Sequence, residues 1–162
     1  MVSGLPQKDS YTIGVISDTH GRLPDAAVKL LRRADLIVHA GDVGEPYILS
    51  RLEQLAPVIA VRGNMDRASW ADGVKQFEAF EVAGHTIYAL HDLGQLDCDP
   101  TAAGIAVVIS GHTHRPTIER KKNVLYLNPG SASRPKHGMG ATVALLHLSR
   151  GSVDAAIVEL FG

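Results

Sequence analysis

The chain alternates short apolar runs with polar, glycine-containing breaks, and the composition of each run separates strands from helices. Residues 11–17 (Tyr-Thr-Ile-Gly-Val-Ile-Ser) predict a strand. Residues 25–33 predict a helix, and Pro24 near its start suits a first turn, where no amide partner is lost. The alternation repeats with a strand over 36–39, a helix over 46–55 and a strand over 58–61, a βαβαβ pattern with parallel strands. These strands run out at Ser17-Asp18, Ala40-Gly41-Asp42 and Arg62-Gly63-Asn64. Parallel strands end on one edge of their sheet, so polar residues more than 20 positions apart converge there.

The pattern then changes to hairpins. Strands over 76–82 and 86–90 are joined across Ala83-Gly84, and a short apolar strand over 106–110 ends at Gly111. Strands over 117–120 and 124–127 flank Lys121-Lys122-Asn123, and strands over 141–148 and 153–160 flank Ser149-Arg150-Gly151-Ser152. With no linker, low-complexity tract or short-period repeat, residues 1–162 are expected to form a single domain whose two halves share a core. Neither Gly-x-Gly-x-x-Gly nor Gly-x-x-x-x-Gly-Lys-Ser/Thr occurs, so ATP or NAD binding has no motif behind it.

Composition narrows the possibilities. At 162 residues, 45% apolar and 20% charged, the chain can bury a core without staples. Sixteen Lys and Arg against seventeen Asp and Glu give a net charge of −1 with no long block of either sign, which argues against a nucleic-acid partner. No apolar run approaches the roughly 20 residues of a transmembrane helix, and the start, MVSGLPQKDS, lacks a signal-peptide pattern. A soluble, cytoplasmic protein with no membrane partner is expected, and exposed hairpin edges permit a homo-oligomer. The single cysteine, Cys98, cannot join a thiolate cluster, so any metal takes nitrogen and oxygen ligands.

The strand ends supply such ligands. Asp18-x-His20 follows the first strand; alone, these could be a turn residue and a solvated imidazole. Asp42 after Gly41, and Asn64 after Gly63, bring an oxygen donor to each of two further strand ends. His91 follows the strand ending at Leu90, and His112 and His114 follow the strand ending at Ser110. Two aspartates, one asparagine and four histidines suffice for two metals if Asp42 bridges them. Such a mixed site suits manganese, iron, cobalt or zinc better than magnesium.

The ordered motifs Asp18-x-His20, Gly41-Asp42, Gly63-Asn64, His91 and Gly111-His112-x-His114 resemble the calcineurin-like metallophosphoesterase superfamily. His39-Ala-Gly-Asp42, Gly63-Asn-Met-Asp66, Gly111-His-Thr-His114 and Asn128-Pro-Gly-Ser131 are similar to its small bacterial and archaeal phosphodiesterase branch, to which the non-catalytic protein Vps29 is related. The resemblance runs from about Tyr11 to Leu160. It implies an α/β fold: a four-layer α-β-β-α sandwich of two mixed β-sheets flanked by helices. It also implies two divalent metals, with manganese expected and iron, cobalt, nickel or zinc as alternatives. Asp18, His20, Asp42 and His114 would hold one; Asp42, Asn64, His91 and His112 would hold the other. The implied activity is hydrolysis of a small-molecule phosphodiester by a metal-bridging hydroxide, with Asp42, Asn64, His91 and His39 as the catalytic group. The competing reading is a metal-stabilised, Vps29-like interaction module.

Two positions depart from the family pattern. Met65 stands where larger phosphatases carry a proton-transferring histidine, and Asp92 follows His91 where many relatives have glycine. Asp92 could tighten metal binding or repel an anionic substrate, and Asp66 could orient a water or imidazole or cap its turn. His39 is expected either to brace a ligating carboxylate or to be a satisfied core histidine. Ser131, Ser133 and Arg134 could bind phosphate, with His137 nearby, or form a plain surface loop. Trp70 and Tyr47 could flank the cleft or cover apolar surface, while His85 and His147 read as hairpin and strand-surface residues.

Overall fold

A computed structural model describes residues 2–136 and 138–160; His137 lies outside them. The strands β1 (Ser10–Ile16), β2 (Leu36–His39) and β3 (Val58–Ala60) pair in parallel, linked by α1 (Asp25–Leu31) and α2 (Pro46–Glu53). Both helices stop two residues short of the sequence expectation. After Leu31 the chain turns through the Ala34 amide to Leu31 carbonyl bond, and the Asp35 amide is drawn to the Thr12 carbonyl of β1. After Glu53 a tight turn through Leu55 leads to Pro57, which cannot continue a helix.

The remaining strands are β4 (Phe77–Val82), β5 (His85–Leu90), β6 (Ile105–Ile109), β7 (Thr117–Lys121), β8 (Val124–Asn128), β9 (Thr142–Ser149) and β10 (Ser152–Glu159). The hairpins β4-β5, β7-β8 and β9-β10 form as the turn residues predict. Their placement is not local. The β9-β10 hairpin returns to pair with β1, giving a five-stranded sheet ordered β10-β9-β1-β2-β3. The second sheet is ordered β4-β5-β6-β8-β7, with β5, β6 and β8 parallel.

The two mixed sheets are each flanked by helical elements, an α/β sandwich. Between them packs an apolar layer drawn from both, including Ile13, Val15, Val38, Ile87, Val107, Ile109, Leu127 and Leu146. Beneath the first sheet, Ala27 and Leu31 of α1 and Ile48 and Leu52 of α2 bury against Ile16 and Ile37. The second sheet is covered more thinly, where the 3-10 turn Leu93–Gln95 leads into Leu96, which packs on Leu90, Ile105 and Val108. Among the described residues no helix is long and apolar enough to cross a membrane.

Candidate metal centre

Five parallel strands, β1, β2 and β3 of one sheet and β5 and β6 of the other, end in the loops that carry Asp18, Asp42, Asn64, His91 and the pair His112 and His114. The loops lock to one another. The Asp18 amide donates to the Gly41 carbonyl (2.9 Å), the His20 amide to Asp42 (2.9 Å) and the Gly111 amide to His91 (2.9 Å). Gly41, at φ 101°, leaves room that a Cβ would lack, since that atom would lie 2.6 Å from His91 Nδ1 and 2.9 Å from the Gly63 nitrogen. At Gly111 a Cβ would collide with the Ser17 hydroxyl and lie 2.7 Å from Asp18 Oδ2.

Eight non-glycine residues among those described have positive φ. Ala83, Lys122 and Asn123 sit in hairpin turns; the other five are Asp18, His20, Asp42, His112 and His114. A left-handed conformation at a non-glycine residue costs on the order of 1 kcal/mol or more, so this backbone strain is concentrated on the candidate ligands.

Their side chains meet. His114 Nε2 lies 3.1 Å and His20 Nε2 3.7 Å from Asp18 Oδ1; His91 Nε2 lies 3.4 Å and His20 Nε2 3.8 Å from Asp42 Oδ2. Two clusters result, Asp18, His20 and His114 beside Asp18, Asp42 and His91. The residue common to both is therefore Asp18, which the family resemblance allots to a single metal. Asp42 also touches a histidine of each. His112 is more exposed, its ring edge-on to His91 at 5.2 Å and its amide donating to Asp18 Oδ2 (3.0 Å). Asn64 is exposed and lines the same cavity as His91.

Each carboxylate has one tethered oxygen and one facing the cluster. Asp18 Oδ2 accepts from the Ser17 hydroxyl (2.6 Å) and Asp42 Oδ1 from the Met65 amide (2.9 Å). The imidazoles follow the same rule. His91 Nδ1 donates to the Ala40 carbonyl and His114 Nδ1 to the Arg134 carbonyl, both at 2.7 Å, which turns each Nε2 lone pair inward. Asp18 Oδ1 and His91 Nε2 are buried without a hydrogen-bond partner among the described residues. A cation satisfies such convergent acceptors, so the residues present fit a metal.

The electrostatics agree. Burial disfavours charge on Asp42, yet the adjacent His91 imidazole and the hydrogen bond from the Met65 amide hold its carboxyl below the usual value. Burial keeps the His20 imidazole low against the pull of Asp42 and Asp18, with Arg134 and His114 adding to the effect. Burial opposes charge on His91 too, but Asp42, Asp18 and the Ala40 carbonyl raise it.

Several sequence expectations change. His39 does not enter the cleft. It is fully buried at the end of β2, where Nδ1 accepts from the Gly41 amide (3.1 Å) and Nε2 donates to the Thr19 hydroxyl (3.0 Å), which in turn donates to Val43. Both nitrogens are engaged and burial, aided by His91, lowers its pKa to about 3, so it braces the loops of Asp18 and Asp42 rather than acting on substrate. Asp66 caps its turn, accepting from the amides of Gly63 (3.0 Å), Val43 (3.1 Å) and Gly44 (3.0 Å) and so tying the Asn64 loop to the Asp42 loop. Asp92 caps the 3-10 turn through the Gly94 amide (2.9 Å).

Ser131 and Ser133 do not face a phosphate. Their hydroxyls donate to the carbonyls of Asp18 and Thr19, which leaves Arg134 as that loop's charged group beside the centre. Tyr47 is exposed and donates to the Gly21 carbonyl (2.9 Å), and Trp70 packs on the outer apolar cluster. The sequence reading missed Arg62, Gln76, Phe77, Tyr88 and Asp97, which line a cavity next to Asn64 and His91. Arg62 had a local signal, directly preceding Gly63-Asn64; the others meet only through sheet pairing and a loop.

Comparison with known proteins agrees with this construction. The sequence pattern of the calcineurin-like phosphoesterase superfamily domain matches residues 11–151. A probable metallophosphoesterase of Methanothermobacter thermautotrophicus is 37% identical over 159 residues, covering 91% of each chain. The solved structure of an archaeal phosphodiesterase superposes with a TM-score of 0.76 at 25% identity, over 91% of this chain and 99% of that one. Vacuolar protein sorting 29 from Cryptosporidium parvum superposes at 0.75 with 19% identity, over 96% and 100%, a likeness of fold alone. With the family pattern spanning most of the chain and candidate ligand residues from strand ends of both sheets gathered into two adjacent clusters, the chain belongs to the calcineurin-like phosphoesterase superfamily.

Proposed function

We propose that this protein is a phosphodiesterase of the cytoplasm that hydrolyses small-molecule diesters with two divalent metal ions, manganese being the working ion. The observation that carries the reading is the orphaned pair Asp18 Oδ1 and His91 Nε2, buried acceptors that converge with Asp42, His20 and His114. Bound in these clusters, divalent ions supply activation of water near neutral pH and neutralise charge on the phosphoryl oxygens.

Asp18, His20 and His114 would hold one ion, and His91, His112 and Asn64 the other. Asp42 would be the ligand common to both, its Oδ2 standing at similar distances from His20 Nε2 (3.8 Å) and His91 Nε2 (3.4 Å), whereas Asp18 Oδ1 lies nearest His114 (3.1 Å). The exposed Arg134 guanidinium, near His20, attracts the phosphate and orients it. Water adds to phosphorus and gives up a proton to solvent, the phosphorus–oxygen bond to the alcohol breaks, and the departing oxygen takes a proton from solvent. No side chain after Asn64 delivers that proton, since Met65 is thioether and solvent-facing and Asp66 is spent on backbone amides. Good leaving groups and diesters are favoured accordingly. The single thiol, Cys98, is exposed, which suits a reducing compartment.

The test is hydrolysis of bis(4-nitrophenyl) phosphate beside 4-nitrophenyl phosphate, by chelator-stripped protein across added manganese. Saturable diester turnover with little monoester turnover is expected; folded, metal-loaded protein that hydrolyses neither overturns the reading.

A further inference from the structure

Beside Asn64 and His91 lies a cavity of about 260 Å³ that the ligand set leaves unused. One wall is a stacked pair, the rings of Phe77 and Tyr88 lying 5.8 Å apart and 12° from parallel. Phe77 stands on the edge strand β4 and is 56% exposed, so its ring serves as a surface rather than as core. Gln76 and Gln95 add carboxamides that donate and accept. Asp97 stands close enough to Tyr88 to act on it. Burial first, then Asp97 and Cys98, push the Tyr88 hydroxyl up, so it remains a neutral hydrogen-bonding group.

Charge is distributed unevenly along this cavity. At the end next to the metal centre, Arg62 directly precedes Gly63-Asn64 and Asp92 directly follows His91, its Oδ1 held by the Gly94 amide, so among the described residues Arg62 is the cavity's one cation there, where an anionic phosphate belongs. Asp97 lines the same cavity within electrostatic reach of Tyr88. A carboxylate there repels any second anion within a Debye length, about 8 Å at physiological salt. The volume lies below the roughly 300–1,000 Å³ of pockets for drug-sized ligands, room for one ring system and not for a polymer.

We propose that this cavity receives the alcohol half of the diester and selects a planar, uncharged ring, the chemistry shared by nucleosides and aryl alcohols, over a ring that carries a further negative charge. The inference rests on the phosphodiesterase reading. Phe77 and Tyr88 supply the stacking face, Gln76 and Gln95 meet the polar edge of the ring, and Asp97 rejects an additional phosphate or carboxylate.

The test compares kcat/KM for methyl 4-nitrophenyl phosphate and its ring-carboxylated analogue, and for adenylyl-(3′→5′)-adenosine and the same compound with a phosphate on the 3′ oxygen of the leaving nucleoside. A preference of about tenfold or more for the neutral member is expected, shrinking several-fold in Asp97→Asn because the anionic member gains. If the preference appears in the nucleoside pair, the natural ring is a nucleoside; if in the aryl pair alone, a simple aryl alcohol. Equal rates within both pairs, or a preference that Asp97→Asn leaves intact, overturn the proposal. Binding separates the two claims. Should no diester be hydrolysed, the enzyme reading fails, and ring-proton shifts of Phe77 and Tyr88 on adding methyl 4-nitrophenyl phosphate to protein loaded with diamagnetic zinc still uphold the cavity's role; their absence overturns it.

Discussion

Asp18 and His114 face each other acceptor to acceptor: the carboxylate Oδ1 and the imidazole Nε2 stand 3.1 Å apart, while the opposite imidazole nitrogen is committed to the Arg134 carbonyl. Two lone pairs at that distance repel unless a cation lies among them. The strained backbone at both residues adds to the cost, with φ of 54° and 61°. The metal-free protein therefore stores instability at this centre that metal binding offsets.

Asp18→Asn tests this directly. A carboxamide can keep the Ser17 and His112 contacts through its oxygen and turn its N–H toward His114, so the metal-free variant should be more stable than the parent by about 1 kcal/mol. Manganese at 100 times its Kd adds about 2.7 kcal/mol per occupied site, or roughly 5–10 °C in Tm, so the variant, lacking the site of Asp18, His20 and His114, should gain clearly less than the parent. Thermal unfolding with and without manganese reads both effects; a variant that is less stable than the parent without metal, or gains as much from manganese as the parent, contradicts this.

Asp42→Asn should lower kcat by at least about 10³-fold and reduce bound manganese below two equivalents, because both sites lose the charge that Oδ2 places between His20 and His91. Metal analysis of the dialysed variant, with its turnover at saturating manganese, checks this. Near-normal activity would place the bridge elsewhere, Asp18 being the alternative.

Metal affinity should fall as pH falls. The His91 imidazole is raised above its ordinary value of 6.5 by Asp42, Asp18 and the Ala40 carbonyl against its burial, so a proton competes for Nε2 more strongly than it would for a free imidazole. Calorimetric titration of manganese at two pH values either side of neutrality should show weaker binding, with proton release, at the lower one. Affinity independent of pH across that interval contradicts the assignment of His91 as a ligand.

His39 carries the opposite sign in stability. Its folded pKa of about 3 lies below the ordinary 6.5, so its contribution is complete above about pH 6.5 and is lost as pH falls toward 3. The loss reaches about 2 kcal/mol by about pH 5. Denaturant unfolding of metal-free protein should show that slope, and His39→Gln should flatten it; an unchanged slope would mean that His39 is not buried neutral.

Much of this was legible in the chain because the informative signals are local. Apolar runs marked all ten strands within about a residue, and Ala83-Gly84 and Lys122-Asn123 marked their turns. The ligands were legible because a parallel strand that ends in Gly-Asp, Gly-Asn or Gly-His places its polar residue at a common edge. What was hidden depends on distant pairing. Nothing near Ser10 announces that β1 pairs with β9, and without that sheet the role of Ser131 and Ser133, holding the Asp18 loop from more than 110 residues away, has no local sign. His39 looked like chemistry because it neighbours the Gly41-Asp42 turn; only its two filled nitrogens show otherwise. Phe77 and Gln95 come together across a sheet and a loop, so their cavity has no motif.

The central claim is that two metals on one set of ligands make this chain a phosphodiesterase. Manganese should be titrated into chelator-stripped protein while bound metal and hydrolysis of bis(4-nitrophenyl) phosphate are followed together. Turnover should rise with the second equivalent and level off at two per chain. Full binding of two equivalents without turnover, or full turnover at one, would contradict it.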